Sequence, residues 1–305
     1  MISLILPTRG RPALVARLFA SITKMTSRLD QIEVVLYIDQ DDLTSHTLGS
    51  ENFSVTKIIG PRLGMGSCNS ACLAKARGEV LVLVNDDIVI RAQNWDDHVR
   101  ATHAEFKDQI YLAYPNDLFK KSKFCTFPII SRRTCELLID PYPEIYQRGF
   151  IDVHLFDIFK RLQHAGYDRI RYYSEIIFEH LHYRTGKAPY DTTYDHARKK
   201  RFTDDPVFIA LIKKRSVTAN RLINAIQGKP VISDTNTDNH TQKISHAQPT
   251  NILSAVRLFS RKFLLDNELP YKWRLFLWYW FIGRYLAVKG LLVIKYFKEV
   301  NHGKS

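Results

Sequence analysis

The stretch Val80-Leu81-Val82-Leu83-Val84-Asn85-Asp86-Asp87 decides the fold class of this chain. Its first five residues are apolar and rich in valine, which is typical of a strand buried on both faces in a parallel sheet covered by helices. Ligands of open α/β sheets bind beyond the carboxyl ends of such strands. Two adjacent carboxylates at that point repel each other and lose hydration, so they indicate a bound cation. An ordinary polar turn is the alternative, because Asn and Asp are common turn residues.

Strand and helix patterns alternate on both sides of this stretch, which predicts βαβ units. Further strands are predicted at 2–6, 32–38, 55–59, 110–114, 124–130 and 169–178. Helices are predicted around 14–22 and at 67–76, 95–106, 152–165 and 207–226. We therefore expect an α/β fold with a mostly parallel sheet flanked by helices.

Composition divides the chain into three parts: an α/β domain at 1–227, a polar linker at 228–250 and a helical tail at 251–305. The linker has almost no large apolar side chains, which is typical of a flexible segment. The tail interleaves aromatic residues with Lys and Arg and has no apolar run of the roughly 18 residues that span a bilayer. Such helices lie in the lipid headgroup region, or else bury their aromatic residues against the domain or a second subunit.

The chain of 305 residues has 44 Lys and Arg against 31 Asp and Glu, a formal net charge of +13. This excess favours an anionic partner: nucleotide phosphates, anionic lipid or nucleic acid. The first residues lack a signal-peptide pattern, which predicts a cytoplasmic protein, peripheral to the inner face of the membrane if the tail binds lipid. The four cysteines have no CxxC spacing and are expected to be buried thiols; a zinc site that includes Cys68 and Cys72 is the less favoured alternative.

Acidic side chains recur where predicted elements end or begin: at 39–42, at 85–87 and at Asp152. Since parallel strands present their carboxyl ends at one edge, we expect these groups to converge there. His180 and His182 follow another predicted strand, and only one of them can face the same side. Carboxylate ligands favour Mg²⁺ or Mn²⁺, and an imidazole shifts the preference toward Mn²⁺.

Four short motifs in a fixed order give a family resemblance. They are Leu6-Pro7-Thr8-Arg9-Gly10-Arg11-Pro12, Tyr37-Ile38-Asp39, Gly64-Met65-Gly66-Ser67-Cys68-Asn69 and Val84-Asn85-Asp86-Asp87. Over residues 1–225 the chain resembles the nucleotide-binding half of a family 2 glycosyltransferase with the GT-A fold. The DXD motif of that family falls on 85–87, where Asn85 replaces its first acid.

The resemblance implies a metal-dependent, inverting transferase that uses a nucleotide sugar and Mn²⁺ or Mg²⁺. It implies that Asp87 and His180 contact the metal and that Asp152 is the catalytic base, with Asp157 as the second choice. The residues implied in nucleotide-sugar binding are Pro7, Thr8, Arg9, Asp39, Asn69, Asp86 and Lys187.

Two other functions remain open at this stage. A sugar-nucleotidyltransferase also needs a divalent cation at a sheet edge, although the glycine-rich basic signature expected near its N-terminus is missing. A nucleic-acid-associated protein would use the positive charge and the aromatic residues on phosphates and bases; a glycosyltransferase acting on modified DNA would combine both ideas. The expected partners are a nucleotide-sugar donor, a hydroxyl acceptor and an anionic membrane surface bound through 251–300, with nucleic acid less favoured.

Overall fold

The computed structural model describes residues 1–191, 193–195, 201–231 and 249–291. Most of the expected linker, at 232–248, lies outside the described residues, as does the last part of the expected tail, at 292–305.

A single mixed sheet forms the centre of the described structure. Its strands are β1 (Ile2–Thr8), β2 (Ile32–Asp39), β3 (Ser54–Gly60), β4 (Val80–Leu83), β5 (Ile88–Ile90), β6 (Leu112–Asn116), β7 (Ile129–Ser131) and β8 (Ile170–His180), in the order β3-β2-β1-β4-β7-β6-β8-β5. The pairs β3-β2, β2-β1, β1-β4 and β6-β8 are parallel, and β7 and β5 run antiparallel to their neighbours. The carboxyl ends of β1, β2, β4 and β8 therefore meet at one edge.

Helices cover both faces of the sheet. They include α1 (Pro12–Met25), α2 (Met65–Lys75), α3 (Trp95–Glu105), α4 (Arg132–Leu138), α5 (Ile151–His164), α6 (Asp205–Ala210), α7 (Ile212–Ile226), α8 (Ile252–Phe259) and α9 (Tyr271–Val288). One apolar core lies between the sheet and α1 and α3, and a larger one lies between the sheet and α2, α4, α5 and α7 to α9. Ile2, Leu4 and Leu6 of β1 pack in the smaller core and Ile5 packs in the larger one, which explains why apolar residues occur on both faces of that strand.

The predicted mostly parallel α/β fold is confirmed, and three local predictions differ from the structure. The strand predicted at 124–130 is wrong for its first part, since β7 begins at Ile129 and Thr126 instead donates to the buried Asp117 at 2.8 Å. The helix predicted at 207–226 is broken at Leu211 into α6 and α7. The short elements β5 and α4 were not predicted.

The C-terminal helices pack on the sheet domain. Their buried side chains belong to the larger core and include Ala255, Phe259, Phe263, Trp273, Leu277 and Phe281. Trp280 of α9 contacts Phe150, with ring centroids 5.2 Å apart, at the start of α5. In the described part of the chain, no helix is long and apolar enough to cross a membrane.

A buried ionic cluster joins these helices to α5. Asp157 Oδ2 accepts a hydrogen bond from Arg215 Nε at 2.7 Å, and Asp157 Oδ1 accepts one from Trp273 Nε1 at 2.9 Å. Arg161 lies 3.4 Å from the same carboxylate and 2.6 Å from Asp266. Asp157, the second choice for a base in the sequence, is thus fully buried with both its oxygens engaged in contacts, one of which reaches the C-terminal segment.

Removal of this carboxylate should destabilise the protein strongly. Asp157→Ala leaves two buried guanidinium groups without their shared anion, which is expected to lower the free energy of unfolding by about 3–5 kcal/mol. Urea unfolding measures this change. The matched control is Glu136→Ala, which removes an exposed pair with Arg133 at 3.7 Å and should cost less than about 1 kcal/mol. An equally small effect of both substitutions would contradict this account of the cluster.

Candidate active site

Asp86 follows β4 at the carboxyl edge of the sheet and is buried. Its Oδ2 accepts a hydrogen bond from Thr8 Oγ1, and its Oδ1 accepts one from Arg11 Nη1, both at 2.9 Å. Arg11 also donates two hydrogen bonds to Asp191, at 2.9 and 2.8 Å. Burial raises the pKa of Asp86 to about 6, with Arg11 opposing the rise and Asp87 adding to it. One guanidinium group thus joins the turn after β1, the end of β4 and the segment at 191.

Asp87 and His180 form a second buried pair, contributed by the ends of β4 and β8. Asp87 Oδ1 lies 3.2 Å from His180 Nε2 without the alignment of a hydrogen bond. Tyr194 donates to Asp87 Oδ2 at 2.7 Å and so fixes the carboxylate. Burial raises the pKa of Asp87, but His180 and the Tyr194 hydroxyl outweigh that effect, so the pKa lies below its usual range.

This pair has unsatisfied polar atoms that fit a divalent cation. Asp87 Oδ1 and both ring nitrogens of His180 are buried and have no hydrogen-bond partner among the described residues. Buried polar atoms are nearly always paired, so these atoms require a further partner. Mg²⁺ and Mn²⁺ accept one or two protein ligands and complete their coordination with water and phosphate oxygens. No cluster of three or more His, Cys, Asp or Glu suited to a metal occurs in the described part of the chain.

The ends of β1 and β2 form the neighbouring part of the edge. Arg9 Nη1 donates to Asp39 Oδ2 at 2.6 Å, and its guanidinium group also binds Asp41 at 2.5 and 2.7 Å. The backbone N–H of Gly10 donates to Asp42 at 2.6 Å, which fixes the turn that follows Pro7. Asp39 is buried, whereas Arg9 is partly exposed. Arg9 and Asp39, both predicted from the sequence to bind the nucleotide sugar, are therefore in contact.

The glycines before α2 have a packing role. A Cβ atom on Gly66 would lie 2.1 Å from the carbonyl oxygen of Pro143, so only glycine fits between these segments. Gly66 N–H also donates to Tyr146 at 2.9 Å. Asn69, one turn further along α2, is buried, and its Oδ1 has no partner among the described residues. Asn69 thus keeps a free acceptor, although its contacts do not join it to Asp86 or Asp87.

Asp152 lies in the first turn of α5, after Phe150, which adopts a left-handed conformation at the N-cap. Its Oδ1 accepts a hydrogen bond from its neighbour Val153 N–H at 2.8 Å. The side chain keeps partial exposure, but its surroundings desolvate the carboxylate and raise its pKa to about 7. His180 and Asp117 are its charged neighbours, which places Asp152 on the His180 side of the edge.

Three residues of the site were missed in the sequence: Arg11, Tyr194 and Asp117. Arg11 and Tyr194 reach their partners across 75 and 107 positions of the chain, and no local pattern marks such contacts. Asp117 could have been found, since Pro115-Asn116-Asp117 is a run of turn residues. Lys187 is paired with Glu179, the residue before His180 in β8, with its Nζ 2.7 Å from the carboxylate.

Comparison with solved structures identifies the fold. No protein-family model matches the chain. No curated protein matches it either. The structure of S. aureus TarS 1–349 in complex with UDP matches 95% of this chain and 88% of that chain, with 17% identity and a TM-score of 0.52. A mannosyltransferase of Pyrobaculum calidifontis in complex with GDP-Man and Mn²⁺ matches 94% of this chain and 86% of that chain, with 13% identity and a TM-score of 0.48. Through the first of these similarities, the chain has the GT-A fold that its sequence predicts.

Proposed function

We propose that this protein is a metal-dependent, inverting glycosyltransferase that moves a sugar from a nucleotide-sugar donor to a hydroxyl acceptor. The observation that carries the proposal is the buried pair of Asp87 and His180, with unpaired ligand atoms, at the carboxyl edge of a GT-A sheet. The similarity to TarS, which was solved with UDP, agrees with a nucleoside diphosphate as the leaving group.

The donor would bind along the ends of β1, β2 and β4. In this proposal Pro7, Thr8 and Arg9 line the nucleotide pocket, and Asp39 accepts hydrogen bonds from the base or ribose. Asp86 keeps Thr8 in place through their hydrogen bond. Of the other residues implied by sequence, Asn69 offers its free amide oxygen, and Lys187 would have to leave Glu179 to reach a phosphate.

Asp87 and His180 would hold Mn²⁺ or Mg²⁺ against the diphosphate of the donor. When bound, the ion acts as a Lewis acid and offsets the negative charge that develops on the departing nucleoside diphosphate. Tyr194 donates to Asp87 Oδ2, which would leave Oδ1 available to hold the ion.

Asp152 would act as the general base. A carboxylate must take the proton from the acceptor hydroxyl as that oxygen attacks the anomeric carbon from the face opposite the diphosphate. The raised pKa of Asp152, about 7, makes it a stronger base than an ordinary aspartate. Its partial exposure leaves it open to a substrate.

The metal site is tested by hydrolysis of a panel of UDP- and GDP-sugars with Mn²⁺ or Mg²⁺. Asp87→Ala should reduce turnover by more than about 100-fold, since changes beside a metal ligand alone cost about 10–100-fold. Asp30→Ala is the control, because this exposed acid precedes β2 at the opposite edge of the sheet. Equal turnover in wild type and Asp87→Ala would rule out the metal assignment.

The base assignment predicts both a loss of activity and a pH profile. Because the carboxylate form is the active one, wild-type turnover should fall as the pH decreases through about 7. Asp152→Asn should lower turnover by about 10²–10⁴-fold and remove that pH dependence. Binding of a nucleoside diphosphate with Mn²⁺, measured by calorimetry, should stay unchanged in this variant. Full activity of Asp152→Asn would refute the assignment.

We also propose that the C-terminal helices place the enzyme on an anionic membrane surface. Large apolar side chains on α8 and α9 are exposed, among them Leu253 and Tyr279, each at 76%. The same C-terminal segments carry basic residues: Arg257, Arg261, Lys262 and Lys272. An exposed face of apolar and cationic side chains suits an anionic bilayer interface.

Vesicle sedimentation tests this surface. The full chain should bind vesicles that contain anionic lipid, and Leu253→Glu combined with Tyr279→Glu should weaken binding by about tenfold or more, through lost apolar burial and added negative charge. Leu43→Glu changes a residue that is 72% exposed on the sheet domain, and it should leave binding unaltered. Failure of the wild-type protein to sediment with such vesicles would contradict the proposal.

A further inference from the structure

Four arginines lie together beside the start of α5, outside the residues assigned to the donor. Arg148 is four positions before Asp152, Arg184 lies in the short turn after β8, Arg201 precedes α6, and Arg284 belongs to α9. Arg284 Nη2 donates to the backbone oxygen of Arg201 at 2.6 Å, which connects α9 to the segment before α6.

Fewer carboxylates than guanidinium groups take part in ion pairs within this cluster. In the described part of the chain, Asp205 is the one carboxylate paired with any of the four guanidinium groups, through Arg284 at 2.5 Å. The nearby Asp204 is occupied by three backbone N–H groups, those of residues 147, 148 and 149, at 2.8 to 3.0 Å. These bonds fix the loop that carries Arg148.

Arg148 is the member that most clearly needs an anion. Its Nε is buried and has no hydrogen-bond partner among the described residues. Burial, together with the charges of Arg184, Arg284 and Arg201, lowers the pKa of Arg148 to about 10. Burial and the same neighbours, Arg184 and Arg284, lower the pKa of Arg201. Like charges held together in this way store repulsion, which a bound anion would relieve.

The cluster lies near the start of α5, the helix that carries Asp152. Arg284 stacks on Phe150 at 5.1 Å, two residues before Asp152, whereas the residues that line the proposed nucleotide pocket lie at and just after the end of β1. Lys120 also interacts with Arg184, and it extends the positive surface along the loop held by Asp117. Guanidinium forks match the oxygens of phosphate and can bind it through several charge-assisted hydrogen bonds.

We propose that Arg148, Arg184, Arg201 and Arg284 bind a phosphate group of the acceptor, so that the acceptor is a phosphorylated hydroxyl compound. This inference rests on the proposed function, because it takes Asp152 to mark the acceptor side. It adds a second anion site to the one that the donor diphosphate occupies.

Calorimetric titration of the full chain with inorganic phosphate and with glycerol phosphate tests the site. The donor site is first filled with Mn²⁺ and whichever of UDP and GDP binds. Wild type should still bind both phosphates saturably, and acetate should bind far more weakly. Arg148→Gln and the exposed Arg184→Gln should each weaken phosphate binding by about 10–100-fold, the effect of losing a hydrogen bond to a charged group. Arg133→Gln, at an exposed arginine of α4, is the control and should bind as wild type does.

Thermal unfolding separates binding from a structural role. Arg148→Gln should unfold at the same temperature as wild type or higher, because it removes repulsion, and it should lose the stabilisation that phosphate gives the wild type. Displacement of phosphate by the nucleoside diphosphate would assign the cluster to the donor and overturn the proposal. Acetate binding equal to phosphate binding, or no phosphate binding, would also overturn it. If no nucleoside diphosphate binds, the proposed function fails instead, and titration without nucleotide still reports on the arginine site.

Discussion

The structure depends on the burial of two adjacent carboxylates where β4 ends. Desolvation of Asp86 and Asp87 opposes folding unless positive or hydrogen-bonding groups compensate for it. Arg11 and Thr8 supply this compensation for Asp86. Asp87 receives only part of it from Tyr194 and His180, and one of its oxygens remains unpaired. The protein thus satisfies both oxygens of one acid internally and leaves one oxygen of the other without a hydrogen bond among the described residues.

The contacts around Asp86 and Asp87 also bring distant segments of the chain to one edge of the sheet. Arg11 connects the β1 turn to Asp191, and Tyr194 connects the same segment to Asp87. The ring of Tyr194 also lies 4.3 Å from the Arg11 guanidinium carbon. On the other side, the Asp157 cluster fixes α7 and α9 against α5, the helix that carries Asp152. The candidate base and the candidate ligands are therefore positioned by separate networks.

Much of the fold could be predicted because its signals are local. The apolar run at 80–84 and the alternating strands and helices each follow from the neighbouring sequence, as does the chain order of the acidic ends. The pairing of β7 and β5 could not be predicted, since each has only three residues and their partners are far away in the chain. Site residues at strand ends could be predicted because the strands that they follow could be predicted. The roles of Arg11, Tyr194 and the arginine cluster could not be predicted, because they depend on contacts made only after folding.

The central claim is that Asp87 and His180 are ligands of one divalent cation shared with a nucleoside diphosphate. Anomalous diffraction from crystals grown with Mn²⁺ and UDP or GDP tests this directly. The account predicts a manganese peak about 2.0–2.3 Å from both Asp87 Oδ1 and His180 Nε2, with diphosphate oxygens completing the coordination. A bound nucleotide without such a peak, or a peak that leaves these two atoms unligated, would contradict it.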